Sequence, residues 1–166
     1  MRPPRGGFIR PFGAAIFIRD YLAGQGPEYG VGAIDPSVGA PQTDIHAAYK
    51  NALHRAMAED MGVRLEERAA RREGRSISPA EIERWTAFYL ERIPYKLSRM
   101  RYHSFVTYFG RLKALGWVER TGHTEPSAIQ DSYPPAPPRT FYRLTSAGKE
   151  ATTSLLSDPL MTLYGY

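Results

Sequence analysis

The chain has 166 residues, 42% hydrophobic and 23% charged, enough to bury a core as one domain or as one domain with extensions, and its composition is that of an ordinary globular protein. No apolar run approaches the roughly 18 residues a membrane span requires, and the basic N-terminus lacks the apolar stretch of a secretion signal. Cysteine is absent, which excludes disulfides, thiolate metal sites and thiol nucleophiles. A cytoplasmic location without membrane association is the expectation.

In chain order, residues 1–13 hold Arg2, Arg5 and Arg10 with three prolines, three glycines and no acid, which reads as a flexible basic arm. Residues 14–94 form a helical N-terminal part with a long loop and a charged insertion. Ala14 to Ala23 is a first predicted helix, and Gly24 to Gly39 is loop by composition. A long helix is predicted from about Asp44, with Thr43 or Asp44 as N-cap, to Met61, where Gly62 closes it. Ile45, Tyr49, Leu53 and Met57 recur every four residues on its core face. Residues 63–76 alternate Arg and Glu, as a solvated helix extension or a mobile connection would. Ser78-Pro79-Ala80-Glu81 starts the next helix, with Ser as cap, Pro in the first turn and Glu at the third position. That helix presents Ile82, Trp85 and Tyr89 on one side and stops or kinks at Pro94. Tyr95 to Met100 is expected to be a short scaffold helix.

Residues 104–120, SFVTYFGRLKALGWVER, carry the strongest local signal. Phe105, Phe109 and Leu112 fall at i, i+4 and i+7, flanked by Tyr108 and Leu115, so one helical face is apolar. The opposite face carries Ser104, Thr107, Arg111 and Lys113. Gly116 suits a left-handed C-cap, and Trp117-Val118 opens a β-favouring run. A second strand, Thr140 to Leu144, follows some twenty residues later, and Thr145-Ser-Ala-Gly-Lys-Glu150 caps a further helix. Charge concentrates here. Between 91 and 120, seven cations (Arg92, Lys96, Arg99, Arg101, Arg111, Lys113, Arg120) face two acids, Glu91 and Glu119, an excess of five that equals the net charge of the whole chain. A polyanionic partner or a simply solvated basic face accounts for such a concentration, and the polyanion is the reading taken.

Helix, strand, loop, strand and helix in that order follow the plan of a winged helix-turn-helix. The Leu-x-x-Leu-Gly-aromatic-Val-Glu-Arg ending (Leu112 to Arg120) and the Phe-Tyr-Arg-Leu-Thr-x-x-Gly-Lys-Glu segment (Phe141 to Glu150) resemble the winged-helix domains of MarR- and PadR-type transcriptional regulators. The resemblance covers residues 95–155, within a winged-helix core placed at 95–158, and implies a mostly α (α+β) fold with a two-stranded β-wing and extra N-terminal helices. It also implies sequence-specific binding of double-stranded DNA, with the helix at about 102–115 in the major groove. By position, His103, Ser104, Thr107, Tyr108 and Arg111 would meet base edges or adjoining phosphates. Arg99, Arg101 and Lys113 would neutralise phosphates, and Arg120 and Arg139 stand at the base of the wing.

Two departures qualify the resemblance. The wing, residues 121–138, has no Lys or Arg but holds Glu125, Asp131 and five prolines, so its tip is not built to grip phosphate. The apolar tail, residues 159–166, suits packing on the chain's own core or on a second copy of the chain, so a homodimer is a candidate assembly. These features favour an alternative, a winged-helix protein-interaction module within a larger complex. The abundant aromatic residues leave open RNA or single-strand binding. Catalytic motifs are missing: His46 and His54 are two turns apart, too far to share a metal, and Gly148-Lys149 lacks both the first glycine and the Ser/Thr of a phosphate-binding loop. No enzyme activity, cofactor or metal is expected.

Overall fold

The computed structural model describes residues 12–94, 101–126 and 138–157. The arm up to residue 11, the scaffold helix at 95–100 with Arg99, the proline-rich part of the wing and the tail at 159–166 lie outside these residues. The architecture is mostly helical with a small three-stranded antiparallel sheet, an α+β fold. No described helix is long and apolar enough to cross a membrane.

The chain forms two compact units. One joins residues 13–49 to the described residues from 101 onward, and the other comprises Phe12 and residues 50–94. The sequence grouping of 14–94 therefore divides: the first helix and the start of the long one belong with the C-terminal part.

In the first unit, α1 (Ala14–Leu22) buries Ala14, Ala15, Phe17, Ile18, Tyr21 and Leu22, and Phe17 packs against Tyr49 with ring centroids 5.2 Å apart. A 3₁₀ turn at Gly26–Tyr29 is tied back when the Tyr29 hydroxyl donates to Asp20. β1 (Ala40–Pro41) follows, and α2 (Gln42–Glu73) starts at once. After α3 (Pro79–Arg92) come α4 (Tyr102–Ala114), β2 (Val118–Glu125), β3 (Arg139–Leu144), α5 (Ser146–Glu150) and α6 (Thr153–Ser157). The sheet order is β1-β3-β2. The expected two-stranded hairpin thus gains a third strand, because Ala40 and Pro41 pair with Tyr142 and Phe141.

The join between α4 and β2 shows why the two sequence motifs occur together. Leu115 ends the helix and Gly116 follows at φ +72°, which a side chain would disfavour. The Gly116 amide donates to the Lys113 carbonyl at 2.9 Å and the Trp117 amide to that of Leu112 at 3.0 Å, the paired bonds of a Schellman cap. Thr145 then ties the second motif to the first. Its amide donates to the Trp117 carbonyl at 3.0 Å, its hydroxyl donates to the Gly116 carbonyl, and its oxygen accepts from the Gly148 amide at 3.0 Å as the N-cap of α5.

In the second unit, Ser78 caps α3 by accepting from the Glu81 amide, as the sequence predicts. The long helix departs from expectation. Gly62 does not stop it: α2 runs on to Glu73, and residues 63–73 are helix extension. Gly62 lies against α3, where a Cβ would come within 2.9 Å of Thr86 Oγ1. Glu66, fully buried, pairs with Arg75 beyond the helix end. The hydrogen bonds that Arg75 donates to the Glu66 and Glu73 carboxylates hold its guanidinium above its ordinary pKa.

Candidate nucleic-acid interface

α4 separates its residues cleanly. Phe105, Phe109 and Leu112 are buried, as their spacing predicts, with Phe105 and Phe109 stacked at 5.9 Å and Phe109 edge-on to Tyr142 at 5.1 Å. This anchoring leaves Tyr102, His103, Ser104, Val106, Thr107 and Gly110 exposed along the outer side. Tyr102 and Val106 are 44% and 39% exposed, more than apolar packing within the chain would leave them. Tyr108 and Arg111 are partly buried, so Tyr108 stands between the core and outer faces.

The outer surface is rich in hydrogen-bonding groups and poor in acids. Residues 101–118 contain no Asp or Glu. Arg101 is exposed at the N-cap position. The Thr107 hydroxyl donates to the His103 carbonyl at 3.1 Å, which leaves its methyl group as the contact surface. On the inner side of the helix end, His46 of α2 packs its ring against Tyr102 at 5.3 Å and Phe105 at 5.0 Å, which sets how the first turn of α4 sits on the core.

The cations divide into two groups by what neutralises them. Arg139 pairs with Asp44 and, at 3.8 Å, with Glu125, and Arg143 pairs across the ladder with Glu119 at 3.0 Å. Arg101, Arg111, Lys113 and Arg120 form no ion pair with a described carboxylate. Arg139 is thus occupied at the start of β3, and Asp44 is its partner rather than a helix cap. The sequence-predicted residues His103, Ser104, Thr107 and Arg111 share one helix with Arg101 and Lys113. Arg120 stands on the neighbouring strand β2, opposite Tyr142 of β3.

Tyr142 is a residue the sequence analysis took only as strand. Its signal was parity: it shares a sheet face with Leu144, which is buried. Lys113 Nζ donates to its hydroxyl at 3.2 Å and lies 4.7 Å from its ring centroid. Burial pushes the phenol pKa up, but hydrogen bonds from Lys113, Arg120 and Thr140 outweigh that and hold it below its ordinary value. On the opposite sheet face, the His123 ring packs edge-on against Phe141 at 4.4 Å. Between Arg120 and Thr124 the β2–β3 register shifts, and Gly122 takes φ +84° there.

The described residues contain no group of three or more His, Cys, Asp or Glu able to hold a metal ion. His54 contacts the Ile93 carbonyl at 2.9 Å, and His46 is part of the aromatic packing described above. Comparison of the chain with protein-family models, with curated proteins and with solved structures returns no match to any of the three.

Proposed function

We propose that the chain is a winged-helix protein that binds double-stranded DNA in a sequence-specific manner and acts as a transcriptional regulator, with α4 in the major groove. One observation carries this reading: the outer face of α4 presents Arg101, His103, Ser104, Thr107 and Arg111 together, on a helix rigidly seated by Phe105, Phe109 and Leu112 and without an acidic residue. A groove-reading helix needs donors and cations on one side and firm packing on the other. The element order supports the winged-helix assignment, since α4 leads directly into the β2–β3 hairpin and Thr145 fastens α5 to the α4–β2 turn. Arg111 reads a base edge, while Arg101 neutralises phosphate.

Fluorescence anisotropy with labelled duplex DNA, single-stranded DNA and duplex RNA across a salt series tests the reading. Selective duplex binding with a steep salt dependence is expected. With an operator selected from random sequence, Arg111→Ala weakens the operator by about 1–3 kcal/mol more than random duplex. Equal losses on the two DNAs contradict the base-reading role.

One feature favours protein docking as a second reading for the other unit. On α3, Trp85, Phe88 and Tyr89 form an aromatic cluster, and the Arg92 guanidinium lies 3.5 Å from the Phe88 ring centroid. Phe88 remains 39% exposed. Aromatic side chains with arginine are the composition of interface hot spots.

A further inference from the structure

Two features of α4 have no explanation among the described residues. The first is Gly110. It sits in the helix interior, where glycine is the least favourable choice after proline. It is exposed, and a Cβ added there would meet nothing within 4 Å. No described neighbour requires that the side chain be absent. Around it, Thr107 and Ala114 are exposed and small, so the surface has low relief at that point.

The second feature is the cation pair held by Tyr142. Lys113 lies three residues after Gly110, a neighbour on the helix surface. Its ammonium uses one of its three donors on the Tyr142 hydroxyl and lies 5.5 Å from the Phe109 ring centroid. Arg120 faces Tyr142 directly across the β2–β3 ladder. Neither cation is paired with a described carboxylate, although two other arginines of the same hairpin, Arg139 and Arg143, are. Two positive charges therefore flank Tyr142, one bonded to its hydroxyl and one opposite it in the ladder, with no counter-charge among the described residues.

We propose that one strand of duplex DNA crosses α4 at Gly110, with a backbone phosphate held between Lys113 and Arg120 and both cations positioned by the Tyr142 hydroxyl. The phosphodiester has two non-bridging oxygens, one to accept from the ammonium and one from the guanidinium. Glycine at 110 lets the sugar–phosphate chain reach the helix surface at the height of those donors. This rests on the duplex reading above and extends it. Base edges meet α4 between His103 and Arg111, and the strand passes over Gly110 towards Lys113 and the wing root. Tyr142 is a positioning residue, since it acts through Lys113 and Arg120.

The test uses the full chain and a labelled random-sequence duplex, with anisotropy read across a salt series and melting followed in parallel. Gly110→Ala raises the melting temperature by about 2–4 °C, because helix propensity improves. It nevertheless weakens duplex binding by about fivefold or more, as a methyl group forced between close surfaces does. Lys113→Gln and Arg120→Gln each reduce the salt slope by about one. Tyr142→Phe weakens binding and keeps the wild-type slope, because both cations are retained but no longer held. If wild type binds duplex while Gly110→Ala and Lys113→Gln match it in affinity and slope, this inference falls and the duplex reading stands. A wild type that binds no duplex at low salt overturns the duplex reading and this inference with it.

Discussion

Two helices each carry a glycine in their interior, and the surroundings of the two are opposite. Gly62 of α2 faces α3, and a Cβ there would stand 2.9 Å from Thr86 Oγ1 and 3.1 Å from two backbone atoms, the Ile82 carbonyl oxygen and the Thr86 nitrogen. Gly110 of α4 faces open space. In the first region the cost of a helical glycine is offset by a close helix–helix approach that the fold itself uses. In the second it is offset by nothing among the described residues. A glycine with an internal reason reports on packing, and one without such a reason directs attention to what lies outside the molecule.

Gly148 is the extreme case of the first kind and should give the largest effect. A Cβ there would lie 2.1 Å from the Trp117 carbonyl oxygen, a backbone atom already committed to the Thr145 amide. Gly148→Ala must push α5 away from the α4–β2 turn, at roughly 3 kcal/mol. Melting should then fall by roughly 6–12 °C, at about 2–4 °C per kcal/mol for a chain of this size. A variant that melts like wild type would show that the turn and α5 are not fastened as described.

Gly62→Ala comes next. Overlap costs about 1–3 kcal/mol and better helix propensity returns up to about 1, so the net loss is on the order of 1 kcal/mol. Adding Thr86→Ala removes the nearest atom and should recover part of the loss, a coupling that a denaturant double-mutant cycle measures. Strict additivity of the two substitutions would place the strain somewhere other than the Thr86 hydroxyl.

These contacts also mark where sequence reasoning succeeds and where it stops. Phe105, Phe109 and Leu112, like Ile45, Tyr49, Leu53 and Met57, were legible because helical periodicity is local, and all seven are buried. Ser78 and Thr145 were legible as caps because a cap is a short-range pattern. Gly62 was misread as a stop because its partner, Thr86, lies on another helix and no local pattern announces it. β1 was missed for the same reason. Two residues have no periodicity, and Ala40 and Pro41 become a strand only by pairing with β3 about a hundred positions later. Long-range charge pairing was equally hidden. Arg139 reads as a free cation at the wing base until Asp44, 95 positions away, is found beside it. Of the candidate site, the helix and its outer residues were legible. The sorting of its cations into neutralised and unneutralised groups needed the fold.

The smallest of these effects is also the one with the opposite sign. Gly110→Ala should stabilise the chain by about 0.5–1 kcal/mol, since it relieves the entropic cost of a helical glycine and meets no neighbour. Guanidinium unfolding followed by circular dichroism measures this, and an unchanged slope against denaturant would assign the gain to the native helix rather than to a more compact unfolded state. A loss of stability would reveal a contact around Gly110 inside the molecule and make it a second Gly62. A gain leaves the comparison standing: α4 then carries a residue that its own helix would do better without, on the same face as Thr107 and beside Lys113, as the proposed strand crossing requires.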